Sequence, residues 1–269
     1  MKTILLFAHD DAGQEARLRA ALAVARACGG HLTCLDVAIE PTRCDEFVSH
    51  AAGALVFAGE THAEERHRQR LERRLASEDV SFDMVAASGN PADCIAKSAT
   101  LVDLVVTSSR LGHENIHDLG SLAGDTVVRS GKPVLAVPAT LETFDLRGRA
   151  LIAWDGSREA EAALLAAIPL LRHARHVELF HFEDGSLHLP PEDAARYLSR
   201  NGIASVIRRE PARHGRPGPA LRREARCGHF DYVVMGAFGH NRLVERLFGG
   251  TTEYMLARSP VPLLLCSRR

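Results

Sequence analysis

Gly236, Gly239 and Gly249 fall in a G-x2-G-x9-G spacing directly behind an apolar run, Asp231-Tyr-Val-Val-Met235. Glycine carries no Cβ, so the main chain at such points can lie against a ligand. The sequence after Gly249-Gly250, Thr251-Thr252-Glu253, predicts a helix start. The first N–H groups of a helix have no partner within it, and they favour a phosphate or another anion. Three glycines alone fit a long turn equally well; the strand before them and the helix after them favour an anion site. Arg242 and Arg246 lie four apart inside the loop. They suit either phosphate neutralisation or a solvated helical turn. Glu245 and Glu253, the nearest acids, read as helix-surface residues, so no general base for hydrolysis stands out.

Fourteen histidines raise the question of a metal. His113 and His117 are four apart, and His62 and His67 sit beside acids. No cysteine or carboxylate completes a tetrahedral set at usual spacings, so surface histidines are the expected reading. His181 closes a strand and reads as a satisfied core residue before it reads as a base.

These residues belong to a unit written twice. Ile4-Leu-Leu-Phe-Ala8-His9-Asp10 corresponds to Ala150-Leu-Ile-Ala153-Trp154-Asp155, a buried strand ending in an acid. Each strand leads into a helix with apolar residues at helical spacing, through Leu18, Ala21, Leu22 and Ala25 or through Ala163, Leu164, Ala167, Ile168 and Leu171. Second strands follow at His31–Val37 and His176–Phe182, and third strands at Val80–Val85 and Ile203–Ile207. The third pair runs into the turns Gly89-Asn-Pro91 and Gly215-Arg-Pro217. Fourth strands begin at Asp103 and Asp231, and fifth strands at Pro133 and Pro262. Apolar strands alternating with helices predict two tandem α/β domains, each with a five-stranded parallel sheet covered on both faces. The expected boundaries are 1–140 and 148–269, with 139–148 as linker and a pseudo-twofold relation between the copies. An extra charged helix, Glu60 to Leu75, occurs in the first copy; the second has a shorter one, Pro191 to Arg200. The charged run at Glu64–Arg68 reads as a solvated face.

A formal charge of −1 supplies no field for nucleic acid or an anionic membrane. No apolar stretch approaches spanning length. The opening residues are too short for a signal peptide before His9-Asp10-Asp11. Cys28, Cys34, Cys44, Cys94, Cys227 and Cys266 lack C-x-x-C spacing and read as small core residues in a reducing compartment, so the expected location is cytoplasmic.

Trp154-Asp155-Gly156-Ser157, the His181-Phe182 pair and Met235-Gly-x2-Gly-x9-Gly249 resemble the universal stress protein family. The likeness covers the second half along its length, with the first half as a diverged copy. It implies doubly wound sheets of order 3-2-1-4-5, the adenine nucleotide alpha hydrolase-like fold, with ATP at the carboxyl ends of strands one and four. Carried over residue by residue, Asp155 with the backbone at Ala153 and Trp154 would hold adenine or ribose. The Phe182 backbone would meet the adenine edge. Met235, Gly236, Gly239, Gly249 and Gly250 would cradle the phosphates, with magnesium on their oxygens. The family usually has Ser or Thr where Gly250 stands; Thr251 or Thr252 would either restore the hydroxyl or cap the helix.

In the first copy, aligning Ser130–Pro133 with Ser259–Pro262 places Thr107 and Arg110 at the first two glycine positions and Gly120-Ser121 at the motif's end. A β-branched residue and a long cation deny a triphosphate room. The first copy is therefore expected to be free of nucleotide, or to hold something smaller or different, with a structural role in dimerisation or in regulating the other half. A receiver domain is excluded because Ala86-Ala87-Ser88 stands where its acceptor aspartate belongs, and a dehydrogenase because neither first turn carries G-x-G-x-x-G. Three functions remain: an ATP-binding stress protein whose nucleotide state sets conformation or partner choice, a slow ATPase, and a ligand-free scaffold. Monomer, homodimer and an unknown protein partner all remain open.

Overall fold

The computed structural model describes residues 1–38, 65–111, 121–183, 185, 189–211, 216–238 and 250–267. The first copy runs β1 (Thr3–Ala8), α1 (Gln14–Cys28), β2 (His31–Ala38), α2 (described over 65–76), β3 (Phe82–Ser88), α3 (Pro91–Ser98), β4 (Leu104–Ser108), α4 (Leu122–Ser130) and β5 (Val134–Val137). The second runs β6 (Arg149–Ala153), α5 (Arg158–Leu171), β7 (His176–Glu183), α6 (Pro191–Arg200), β8 (Val206–Pro211), α7 (Pro217–Cys227), β9 (Tyr232–Gly236), α8 (Thr251–Arg258) and β10 (Leu263–Cys266). The α/β alternation and the 3-2-1-4-5 order hold in both copies. The third strands lie later in the chain than expected.

The ten strands form one sheet, β3-β2-β1-β4-β5-β10-β9-β6-β7-β8. Pairing is parallel within each copy and antiparallel at the seam, where Leu264 meets Leu135. β5 and β10 are buried along their length, so at the seam the sheet continues as interior. One hydrophobic layer, with α1, α2, α5 and α6, gathers Leu18, Leu22, Leu164 and Leu198 from both copies. The opposite layer, with α3, α4, α7 and α8, gathers Ile95, Val127, Leu221 and Met255. The connection 139–148 packs as well: Leu146 joins the first layer and Phe144 meets the Tyr232 ring edge-on.

Repeated local devices hold the two copies alike. Asp103 accepts from the backbone N–H groups of Lys2 and Thr3 at 2.6 and 3.1 Å, and Asp231 accepts from that of Arg149 at 2.6 Å. Each aspartate thus fixes the start of its copy's first strand from the residue preceding the fourth. Asn90 caps α3 through the N–H groups of Ala92 and Asp93, Ser121 caps α4 and Ser157 caps α5.

Candidate functional site

In each copy the strand order reverses between the first and fourth strands, at β1/β4 and β6/β9. Ligands of open α/β sheets lie outside the carboxyl ends of the strands at such a point. In the second copy β6 ends at Ala153, and Trp154 continues the pairing by donating its N–H to the Phe180 carbonyl at 2.9 Å. The exposed Asp155 turns the chain into α5: its Oδ1 accepts the Ser157 N–H at 2.9 Å, and Ser157 Oγ accepts from Ala160. Gly156, at φ +74°, passes beneath Leu189, and a Cβ there would meet the Leu189 nitrogen at 2.2 Å. Trp154 is core: its indole donates to the Leu189 carbonyl at 2.9 Å. His181 is core too, with Nδ1 donating to the Trp154 carbonyl at 2.9 Å.

The end of β9 touches both neighbouring helix starts. A Cβ on Gly236 would lie 2.7 Å from the Ala160 nitrogen and the Glu159 carbonyl carbon. This glycine therefore lets α5 settle on the strand, a packing role that the ligand reading of the sequence had not included. Two residues on, Phe238 adopts φ +59° and donates its N–H toward Thr252 Oγ1 at 3.4 Å. The buried Thr252 hydroxyl ties the loop to α8, which no described side chain caps. The capping expected of Thr252 is thus not its role. Gly250 and Thr251 open α8, half-exposed.

Ala153, Trp154, Asp155, Phe182, Met235, Gly236, Gly250 and Thr251 accordingly lie at or beside the carboxyl end of the second copy's sheet. Met235 and Phe182 turn their side chains into the core, leaving their backbones as what they can offer. Gly239 and Gly249 lie outside the described residues, as do Arg242, Glu245 and Arg246.

The first copy differs more than the sequence alignment implied. Ile4 pairs with Leu104 where Ala150 pairs with Tyr232, so Leu104 corresponds to Tyr232 and Ser108 to Gly236. Ser108, in place of Thr107, holds the first glycine position; the second, Gly239, lies outside the described residues. Asp11, not Asp10, is the counterpart of Asp155: its Oδ1 accepts the N–H of Gly13, the α1 N-cap, across a β1–α1 turn two residues longer. Asp10 instead pairs with Arg70 on the surface.

Arg17 is the residue that the sequence reading missed. Fully buried, it reaches from α1 across the β1/β4 reversal. Nε donates to the Phe7 carbonyl (2.9 Å), Nη2 to the His9 carbonyl (2.7 Å), and Nη1 to the Asp11 carboxylate (2.8 and 3.0 Å) and to Ser108 Oγ (2.5 Å). Burial pulls the guanidinium below its ordinary pKa, and Asp11 opposes the shift. A charged residue four places past the N-cap, on the helix face otherwise occupied by Leu18 and Leu22, was the available signal. His67 is likewise buried: Nε2 donates to Gln14 Oε1 at 2.7 Å, and Nδ1 lies 3.6 Å from Asp36. That corrects its reading as a surface histidine. His62, His113 and His117 lie outside the described residues, and among those described no three His, Cys, Asp or Glu side chains gather as metal ligands.

The sequence model of the Universal stress protein family matches residues 147–267. The matched segment, the second copy, is thus a domain of the universal stress protein family. No curated protein matches the chain. Among solved structures, the chain is similar to a universal stress protein from Archaeoglobus fulgidus over 99% of its own length and 98% of the other, at 19% identity and a TM-score of 0.77. A protein of unknown function from Pseudomonas aeruginosa is similar over 99% and 92%, at 18% identity and a TM-score of 0.57. At such identities the likeness is one of fold, and it spans both copies. No described helix is long and apolar enough to cross a membrane.

Proposed function

We propose that this universal stress protein binds an adenine nucleotide, ATP in the first instance, in the crevice between β6 and β9, and that the bound state sets its conformation or choice of partner in a stress response. The observation carrying the reading is the start of α8, which no described side chain caps, tied to the residues after β9, with an exposed Asp155 just past the end of the neighbouring strand β6. Uncapped N–H groups at a helix start are donors for phosphate. Asp155 keeps acceptor capacity for ribose hydroxyls beyond its bond to Ser157. Backbone at Ala153, Trp154 and Phe182 would hold the base. Gly236, Gly250 and Thr251, with Gly239 and Gly249, would hold the phosphates. Magnesium would arrive on the phosphate oxygens, where it neutralises their charge. The domain limits 1–140 and 148–269 and a cytoplasmic location belong to the same reading.

Calorimetric titration of the full chain with ATP and ADP plus magnesium tests it. Saturable binding that Asp155→Ala removes supports the site. Equal binding in Asp155→Ala, or no heat with either nucleotide, overturns it.

A further inference from the structure

The two copies fill the same place in opposite ways. At the β6/β9 reversal, strand position Gly236 carries no side chain and lies against the α5 backbone, and the fourth residue past the N-cap, Glu161, is exposed. At the β1/β4 reversal the corresponding residues are Ser108 and Arg17, and both point inward to meet each other. Arg17 spends every nitrogen on the rim of that crevice: two strand-end carbonyls, one carboxylate and one hydroxyl.

We infer that Arg17 is an internal plug: its guanidinium occupies the amino-terminal crevice in place of a nucleotide and limits each chain to one nucleotide. The inference rests on the nucleotide reading of the second copy for its ligand, though not for its geometry. Asp11 stands where Asp155 stands, so the first copy keeps the acid suited to ribose and turns it to its own cation. Truncating Arg17 frees Asp11 for ribose hydroxyls. The plug is therefore a specificity-determining residue, and a single substitution opens the second site.

The test is photolabelling of the full chain with 8-azido-ATP, followed by peptide mapping. The wild type is expected to carry label only in peptides from the second copy, and Arg17→Ala to gain label in peptides within residues 1–38. Wild-type label within residues 1–38, or a folded Arg17→Ala with none there, overturns the plug. Should Arg17→Ala fail to fold, the wild-type Arg17 Nε–H resonance, assigned against Arg17→Lys, decides. It is expected to exchange slowly and to keep its shift under saturating Mg-ATP; fast exchange or a nucleotide-induced shift overturns the plug. A wild type that takes label nowhere removes the nucleotide reading of the second copy; label within residues 1–38 of Arg17→Ala then still supports the plug, and its absence there overturns it.

Discussion

Tyr232 is fully buried, yet its hydroxyl has no hydrogen-bond partner among the described residues, and burial pushes its pKa up. The ring itself is well placed against Phe144. Because a buried unpaired hydroxyl forfeits its hydration, Tyr232→Phe is expected to raise stability by about 1 kcal/mol, read from urea unfolding midpoints. Thr107, Ser109 and Thr126 also bury hydroxyl oxygens that have no partner among the described residues. Their counterparts in the second copy are Met235, Ala237 and Met255, all apolar. Thr107→Val is expected to be neutral or stabilising, by up to about 1 kcal/mol in the same measurement. Single residues of this kind were the least legible part of the chain. A serine or arginine in an apolar helix pattern reads as an exposed position, and nothing in the spacing says that Arg17 has Asp11 and Ser108 waiting for it.

At the level of elements, the two copies solve one packing problem from opposite sides. The fourth strand and first helix approach so closely that one partner must be glycine. In the second copy the strand supplies it, as Gly236 against α5; in the first, the helix cap does, as Gly13 with Ser108 Oγ 3.1 Å from its missing Cβ. Gly236→Ala is expected to cost about 1–3 kcal/mol, since the obstacle is α5 backbone and cannot rotate away. A thermal melt checks this, and an unchanged melt would show that α5 has room to move. Strands and helices were legible because their apolar periods were clean. The alignment of the first copy failed at a turn two residues longer, which no period reveals. The third strands were placed too early because Val80 and Ile203 are apolar residues buried outside β3 and β8.

Asp103 shows how an element's anchoring becomes a dependence on pH. Backbone N–H groups of Lys2 and Thr3 hold its carboxyl below the ordinary aspartate range. The contribution is complete above the unfolded value, about 3.9, and is lost as pH falls through the lower folded one. Asp103→Asn is therefore expected to be less stable than wild type at pH 7, with the gap closing below about pH 4. A constant gap across that window would mean that the anchoring does not depend on charge.

For the molecule as a whole, both hydrophobic layers cross the β5/β10 seam without a break. Phe238 of the second copy also packs on Gly124 of the first, where a Cβ would sit 3.0 Å from its ring. A shared interior predicts one calorimetric unfolding transition despite the internal duplication, with calorimetric and van't Hoff enthalpies equal. Two resolved peaks would show the copies melting apart. The sequence made the duplication plain and left the seam unannounced, although four buried residues in each fifth strand hinted at interior strands.

That junction has a consequence for assembly. By closing its last strands on each other, the chain satisfies internally the backbone donors and acceptors that one copy alone would leave open at that margin. Among the described strands, the remaining margins are β3 and β8, at opposite ends of the sheet. Any further subunit that joins by strand addition has to begin there, and would lengthen the array instead of closing it.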